Sequence, residues 1–426
     1  MTQNSDLTVD RGTLLKTSSS VLGTLAISQA SAKANDSKKV FKVGVIGLGG
    51  RGAGAVTNIL DADPNTILWS VGEIQEKKLT KGIGRLKKYG ERIQVENRVF
   101  DGFDAYQKVI DSGVDIVLLT TTPAFRPMHL EACIEAGKHV FAEKPLAVDI
   151  PGMISVEQTA KKAKKKGLSI LTGFVYRYTK GTKDFYEAIQ NGAIGKVTSA
   201  YSTYLAGQVN PIPPTKYRPK TMSDLEWSLP FWQNFVELAG DSIVEQSIHS
   251  VDKLNWAMEQ EQPIAAIANG GRQVNLDGAN IFDHFSVTYE YANGRRAFLS
   301  SRQLKGGYKE TKDEVFGTDG HGVHGKGIFK DKLVKEIKRS GLGYTDEHKL
   351  LMSHIRAGKV FSDIDTSAAQ STYMAILGRM AAYTGKRITW EQMMASKDSM
   401  INTTDISWSS GFKPRDVSLP GITPFV

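Results

Sequence analysis

Residues 40–52 read V-F-K-V-G-V-I-G-L-G-G-R-G, and this stretch decides how the first third of the chain folds. The first seven residues are β-branched and apolar enough for a short buried strand, and the next six satisfy G-x-G-x-x-G. In that pattern the glycines permit a tight turn, a close approach of backbone N–H groups to a pyrophosphate, and close helix–strand packing. The following helix points the positive end of its dipole at the phosphates. The sequence therefore predicts a dinucleotide site at Gly47, Leu48, Gly49, Gly50, Arg51 and Gly52.

The choice of dinucleotide is indicated by an acidic residue further along the chain. A second strand is predicted over residues 67–71, and Glu73 follows it, 21 residues beyond Gly52. A carboxylate at this position hydrogen-bonds the adenosine ribose hydroxyls and repels a 2′-phosphate. We therefore expect NAD as the cofactor in preference to NADP.

Two more apolar runs end in residues suited to ligand binding. Residues 114–120 and 139–142 read as buried parallel strands, and ligands bind at the carboxyl edge of such sheets. The residues that follow these strands are therefore predicted to contact the cofactor: Thr121, Thr122, Pro123, Glu143 and Lys144. Alternating strands and helices over residues 41–170 predict a doubly wound parallel sheet, the Rossmann fold.

The order of these motifs resembles that of a known family. The segment T-T-T-P-A-F-R-P-M-H-L-E-A-C-I-E-A-G-K-H-V-F-A-E-K-P (120–145) is followed by G-D-S-I-V-E-Q-S-I-H-S-V-D (240–252), similar to D-x-x-x-H-x-x-D with Glu245 replacing the first aspartate. From residue 41 to about 400 the chain resembles the glucose–fructose oxidoreductase, inositol dehydrogenase and MocA family (Gfo/Idh/MocA), in particular a bacterial branch that is often secreted. The resemblance implies that Lys144 lies beside the nicotinamide and the reacting carbon.

The resemblance also implies a reaction, and the residues offer the groups that it needs. Residues 240–256 read as one helix, on which Glu245 and His249 share a face and Asp252 lies within reach of the imidazole. Oxidation of a secondary hydroxyl requires loss of its proton, which a neutral histidine accepts near neutral pH. We predict His249 as general base, Lys144 as stabiliser of the oxygen and Glu245 as their polar partner; a surface pair on a helix is the alternative.

Other residues are candidates for the substrate pocket. Residues 208–232 contain five prolines together with Tyr217 and Trp232, which predicts a long ordered loop of the kind that shapes a pocket. Arg177, after a strand at 168–173, either contacts substrate or forms a structural salt bridge. The predicted substrate-binding residues are Arg177, Tyr217, Trp232, Asp252 and His284. His321 and His324 lie in a glycine-rich loop without a supporting carboxylate or cysteine cluster, so no metal site is predicted.

The second half of the chain has a different pattern. Residues 281–290 alternate in polarity, and 296–304 pair with them across Asn293 and Gly294, a hairpin signal. We expect an α+β domain over residues 171–395 with a large open, mainly antiparallel sheet and helices on one face, then a tail over 396–426. In the family that the chain resembles, this sheet commonly forms the interface of a homodimer or homotetramer.

The first 40 residues do not read as part of either domain. Arg11 and Lys16 precede a weakly apolar stretch at 21–28, and A-S-A follows at 30–32, which is typical of a cleavable leader. Residues 11–16 read R-G-T-L-L-K and resemble the twin-arginine signal, with Gly12 in place of the second arginine. We expect a leader over residues 1–32, a linker over 33–40 and a periplasmic or secreted protein; a cytoplasmic enzyme with an N-terminal tail is the alternative.

Composition narrows the classes of partner. The net charge is +9, but five of the lysines lie within residues 161–166 without interleaved aromatic residues, which favours a solvated helix face over a nucleic-acid site. The chain has no run of 18 apolar residues, so no membrane insertion is expected.

The expected function is oxidation by NAD(P) of a secondary hydroxyl on a sugar, glycoside or cyclitol. Two alternatives stay open: an NAD-dependent glycoside hydrolase that oxidises C3 transiently, and an inactive binding protein that keeps the Rossmann fold. The intact Glu143-Lys144-Pro145 favours the oxidoreductase over the hydrolase, and the presence of both Lys144 and His249 argues against an inactive protein.

Overall fold

The computed structural model describes residues 39–274 and 277–426. The predicted leader at 1–32 and most of the predicted linker lie outside these residues. No helix within the described ranges is long and apolar enough to cross a membrane.

The first domain is built on a parallel sheet, as the sequence predicts. Its strands run in the order β3-β2-β1-β4-β5-β6, and every neighbouring pair is parallel. The strand order reverses between β1 and β4, and this opens a crevice at their carboxyl ends. The strands are β1 (Phe41–Ile46), β2 (Thr66–Glu73), β3 (Val99–Asp101), β4 (Ile116–Leu119), β5 (His139–Ala142) and β6 (Ile170–Thr172), and the helices are α1 (Gly50–Ala62), α2 (Glu76–Leu86), α3 (Ala105–Asp111), α4 (Arg126–Glu135) and α5 (Ile150–Lys165).

The glycine pattern has the physical basis that the sequence indicates. Gly47 has a φ of +94°, and a Cβ there would lie 2.8 Å from the backbone nitrogen of Thr121. A Cβ on Gly52 would lie 2.0 Å from the carbonyl oxygen of Gly47. Larger residues at these two positions would push α1 away from β1 and β4, so both glycines serve the close packing of the first turn.

The second domain contains a nine-stranded sheet in the order β14-β13-β12-β11-β7-β10-β9-β8-β15. Only the pairing of β7 with β10 is parallel among the pairs of this sheet that the structure describes, and the predicted hairpin of β9 and β10 is confirmed. Its strands are β7 (Val197–Ala206), β8 (Ala265–Gly271), β9 (His284–Glu290), β10 (Arg296–Gln303), β11 (Asp313–Gly317), β12 (His321–Val323), β13 (Gly327–Phe329), β14 (Leu333–Glu336) and β15 (Ile388–Thr389).

The helices in this half of the chain are α6 (Lys180–Gln190), α7 (Asp224–Ser228), α8 (Val236–Ala239), α9 (Ser242–Glu245), α10 (Ile248–Ala257), α11 (Tyr344–Arg356), α12 (Ala369–Thr384) and α13 (Trp390–Ala395). Of these, α10 and α12 pack directly on the strands and cover one face of the sheet. The opposite face leaves Ile267, Phe298 and Phe316 exposed. Beyond α13 the tail, residues 396–426, contains no regular helix or strand.

The two domains are interleaved along the chain. Helix α11 belongs to the second half of the sequence, yet it packs on α1 of the nucleotide domain, where Arg356 forms an ion pair with Asp63. Further on, buried Asp363 accepts hydrogen bonds from the backbone and the hydroxyl of Thr172 in β6. These contacts fix the first domain against the second.

The predicted single helix over 240–256 is wrong, because the chain forms two shorter helices, α9 and α10, there. In a continuous helix the carbonyl of Glu245 would accept a hydrogen bond from the amide of His249. Instead it accepts one from Lys144 Nζ at 2.5 Å, and the His249 amide donates to the carbonyl of Gln246 at 3.4 Å. The helix therefore breaks where the two domains meet.

Candidate active site

A cavity of about 470 Å³ lies over the carboxyl ends of β1, β2 and β4. Every member of the first glycine turn except Leu48, which is buried against Gly82, lines this cavity. The other predicted cofactor residues that line it are Glu73, Thr121 and Thr122. The structure thus brings these predicted residues together around one cavity.

This cavity fits a dinucleotide. A Cβ built on Gly49 meets no atom within 4 Å and would project into the open space, so the missing side chain leaves room for a ligand at the backbone. The first turn of α1 carries no acidic residue that would repel a pyrophosphate. Together these features form the anion cradle expected at the N-terminus of a helix.

Glu73 ends β2 on the side of the cavity where the adenosine would lie. Burial raises the pKa of its carboxyl, while Lys78 and the backbone N–H of Gln75 oppose that rise. Both Glu73 and Lys78 line the cavity. The acidic position that the sequence assigns to the ribose hydroxyls is therefore in place.

His129, which the sequence analysis did not select, closes the inner wall of the cavity. Its Nδ1 lies 3.2 Å from the hydroxyl of Thr121, and its ring stacks on Tyr106 with a centroid distance of 4.5 Å. Burial, aided by the charge of Arg126, lowers the pKa of His129 to about 3. The imidazole is therefore neutral and supports the cofactor wall without adding charge.

A second cavity of about 370 Å³ adjoins the first, since both are lined by Arg51, Thr120, Thr121, Trp232 and Gln233. Seven residues predicted for catalysis or cofactor contact line this space: Arg51, Thr121, Pro123, Glu143, Lys144, Glu245 and His249. The nucleotide domain thus contributes one wall and the second domain contributes the other.

Lys144 joins the two walls. Its Nζ donates to the carbonyl of Glu245 and lies 3.6 Å from Glu245 Oε1. Both side chains are mostly buried, with 12% and 9% of their surfaces exposed. A mostly buried ammonium at the mouth of the cofactor cavity is suited to stabilise negative charge on a substrate oxygen.

His249 lies in the first turn of α10, is half-buried and lines this cavity. The ring meets the edge of Tyr176 at a centroid distance of 5.3 Å. Burial lowers the pKa of His249 well below its usual value, and the charges of Lys144 and Lys253 add to this effect. The imidazole is therefore held neutral, the form in which it can accept a proton.

The ammonium of Lys253 is buried against Tyr176, which the cavity-lining His249 also contacts, and its charge adds to burial in lowering the pKa of His249. It lies 4.8 Å from the ring of Tyr176 and donates to Asp313 Oδ2 at 2.6 Å, and the side chains of Lys253 and Asp313 are each only 1% exposed. Asp313 also accepts from Ser202 and lies within hydrogen-bond distance of His324. This network fixes the position of the positive charge that faces Tyr176 and His249.

The side chain of Arg51 extends from the glycine turn to the wall of the second cavity. Its Nε donates to Glu143 Oε1 at 2.5 Å, and its guanidinium lies over the ring of Tyr344 at 4.5 Å. Arg51 therefore neutralises the charge of Glu143, which lies next to Lys144, and connects the glycine turn to the start of α11.

Several predicted substrate residues lie elsewhere. Of the two roles that the sequence allowed for Arg177, the structure shows the salt bridge: its Nη2 lies 2.8 Å from Asp252 Oδ1. Asp252 also accepts a hydrogen bond from the hydroxyl of Ser371. Asp252 is thus occupied by partners other than His249. His284 pairs with Asp283, and 66% of the surface of Tyr217 is exposed; neither lines either cavity. Of the five predicted substrate-binding residues, only Trp232 lines these cavities, and it lines both.

The structure adds wall residues that the sequence analysis missed. Arg126 follows the end of β4 closely and lines the second cavity; burial lowers the pKa of its guanidinium to about 10, and it donates to the carbonyl of Thr121. A cation shortly after the end of a parallel strand could have identified Arg126 from the sequence. Tyr204 and Tyr344 also line this cavity, but they come from distant segments that show no such pattern.

The histidines of the glycine loop have structural partners. His321 stacks on Phe329 with a centroid distance of 5.1 Å, and buried His324 lies between Thr182 and Asp313. Within residues 39–274 and 277–426 no group of three or more histidine, cysteine or acidic side chains is arranged to hold a metal ion.

Comparisons with known proteins agree with this architecture. Residues 41–171 match the model of the oxidoreductase family with an NAD-binding Rossmann fold, and residues 183–322 match the Gfo/Idh/MocA C-terminal domain. The chain therefore belongs to the Gfo/Idh/MocA family of NAD-binding oxidoreductases.

Individual relatives are distant. Myo-inositol 2-dehydrogenase from Thermotoga maritima is 27% identical over 310 residues, which cover 72% of this chain and 79% of that protein. The structure of scyllo-inositol dehydrogenase from Lactobacillus casei with bound NAD(H) and scyllo-inositol is similar, with 20% identity and a TM-score of 0.62 over 83% of this chain and 100% of that one. Aldose-aldose oxidoreductase from Caulobacter crescentus has 17% identity and a TM-score of 0.63 over 82% of this chain and 100% of that one.

Two glycine substitutions separate cofactor binding from folding. We expect Gly49→Ala to raise the Kd for NAD at least about tenfold with little change in Tm, because its Cβ enters the open cradle. Gly52→Ala should instead lower Tm, because its Cβ meets the Gly47 carbonyl. Titration with NAD and thermal unfolding of both variants measure this; a Gly49→Ala protein with wild-type NAD affinity would contradict the assigned cradle.

Proposed function

We propose that this protein oxidises a secondary hydroxyl of a sugar or cyclitol with NAD, and in reverse reduces the corresponding ketone. The observation that carries the proposal is that Lys144 and His249 line one cavity, which adjoins the dinucleotide cavity. The relative named as a myo-inositol 2-dehydrogenase supports a polyhydroxylated ring as substrate. The tyrosine, glutamine and tryptophan side chains in the wall suit such a ring, since each can meet a hydroxyl or a ring face.

The reaction removes a hydride from the carbon and a proton from its hydroxyl. NAD, when bound, supplies the hydride acceptor. A ring nitrogen of His249 accepts the hydroxyl proton, and Lys144 Nζ donates a hydrogen bond to the same oxygen as negative charge develops on it. Glu245 keeps Lys144 in place through its carbonyl and its carboxylate. The products are the ketone, NADH and a proton on His249, which then passes to solvent.

The roles of the lysine and the histidine can be tested together. We expect Lys144→Met and His249→Asn each to lower kcat about 10²- to 10⁴-fold, because each removes a group that acts on the reacting oxygen. NAD affinity should change little in His249→Asn. The assay is NADH formation at 340 nm with inositols and aldoses, with Lys162→Met and His354→Asn as controls on the surface and on α11. Wild-type turnover in His249→Asn would overturn the proposal.

The pH dependence follows from the lowered pKa of His249. A base works in its neutral form, so a lowered pKa keeps the enzyme active to lower pH, and kcat/KM should show no acid limb near the usual value of about 6.5. Lys253→Met removes one of the charges that lower this pKa and should move the acid limb to higher pH. A wild-type limb near 6.5 that Lys253→Met leaves unmoved would contradict this assignment.

We further propose that the protein is a homodimer or homotetramer formed through the second sheet. The outer face carries Ile267, Phe298 and Phe316 with 42%, 38% and 39% of their surfaces exposed, and Ile267 and Phe298 both pair with Thr288 on neighbouring strands. Exposed apolar residues on adjacent strands favour an interface. Light scattering of Phe298→Glu should show a smaller assembly than the wild type; a monomeric wild type would refute this.

We also propose that the chain belongs to an exported branch of the family, on the evidence of residues 11–32 alone. Replacing Arg11 with Lys should retain the protein in the cytoplasmic fraction if the twin-arginine-like segment acts. Equal periplasmic amounts of both forms would rule out this route.

A further inference from the structure

The outer wall of the cofactor cavity is a hydrophobic cluster contributed by three separate segments. Ile74, Phe103 and Phe125 come from the nucleotide domain, and Leu229 and Trp232 come from the loop before α8; all five line the cavity. The third segment is the tail, whose apolar residues pack on the same cluster without lining the cavity: Met400, Ile401, Ile406 and Phe412.

The tail also touches the adenosine side of the cavity through one aromatic contact. Phe103 follows β3, beside the end of β2 that carries Glu73. The ring of Trp408 meets the ring of Phe103 edge-on, with a centroid distance of 4.8 Å. Trp408 thus supports a cavity residue from behind.

Residues 400–415 are held at both ends by buried carboxylates. The backbone N–H of Met400 donates to Asp149 Oδ2 at 2.8 Å, and that of Arg415 donates to Glu237 Oε1 at 2.6 Å. The two acceptor residues are only 6% and 1% exposed. We call residues 400–415 the C-terminal strap, because these anchors fix it across the outer wall.

The C-terminal strap lies beyond both regions that the family models match, residues 41–171 and 183–322. The family match therefore does not describe the contacts of the strap with the cavity wall.

We propose that the C-terminal strap is a positioning element for NAD: Trp408, acting through Phe103, holds the adenosine half of the cofactor and slows its release. Trp408 itself is not a catalytic residue, since it lies outside both cavities. The proposal rests on the NAD site and not on the identity of the substrate. It therefore stands or falls separately from the proposed oxidation of a sugar or cyclitol.

The test compares Trp408→Ala with Trp408→Phe and with Ile422→Ala, a change in the same tail at a residue that is 76% exposed. Kd values for NAD and for ADP-ribose, the rate of NADH release, and KM for NAD and kcat are measured in the full chain. Because Trp408 is 41% exposed, its removal leaves the core intact, and near-UV circular dichroism checks this.

In Trp408→Ala we expect Kd for NAD and for ADP-ribose to rise by the same factor, about five- to tenfold, as for loss of one aromatic pair. KM for NAD and the release rate should rise in proportion, while kcat at saturating NAD stays within about twofold. Trp408→Phe should restore affinity and Ile422→Ala should match the wild type. Unchanged Kd values in Trp408→Ala, or a loss of kcat at constant Kd, would overturn the proposal.

Discussion

The hydrogen bond from Lys144 Nζ to the carbonyl of Glu245 is the interaction on which the site depends. It takes that carbonyl away from the amide of His249, so the predicted helix ends and a second one begins. The break leaves Glu245 at the end of α9 and His249 in the first turn of α10, and both line the same cavity. This bond therefore contributes to the contact between the domains, orients the lysine and brings His249 to the cavity, because a mostly buried ammonium must find acceptors.

The same constraint, that a buried charge needs a partner, governs the charged groups around the second cavity. Arg51 neutralises Glu143, and Lys253 is neutralised by Asp313 out of reach of solvent. Lys144 keeps Glu245 as its partner but at the longer distance of 3.6 Å, which leaves the ammonium able to serve a substrate oxygen. Burial lowers the pKa of His249, the charges of Lys144 and Lys253 add to this effect, and the imidazole is therefore neutral. The arrangement separates a cation suited to stabilise negative charge from a neutral imidazole suited to accept a proton.

Local signals predicted the nucleotide domain well. The glycine turn, Glu73 and the residues after β4 and β5 are close in sequence to the strands that position them, and parallel strands bring their carboxyl ends to one edge. The second domain was harder, because its pocket residues come from different strands and helices. Asp252 illustrates the difficulty: its spacing from His249 fits a helix, but Arg177 and Ser371, distant in sequence, occupy its carboxylate.

The sequence by itself determined the Rossmann domain, the preference for NAD and the identity of Lys144 and His249 as candidates, because short-range pattern and strand order control them. Only the tertiary structure decided how these residues meet. The interruption of the helix at Glu245, the pairing of Arg51 with Glu143, the neutral state of His249 and the packing of the C-terminal strap on Phe103 all depend on groups far apart in the chain. Such groups become neighbours only when burial and charge pairing bring them together, and no local pattern encodes that outcome.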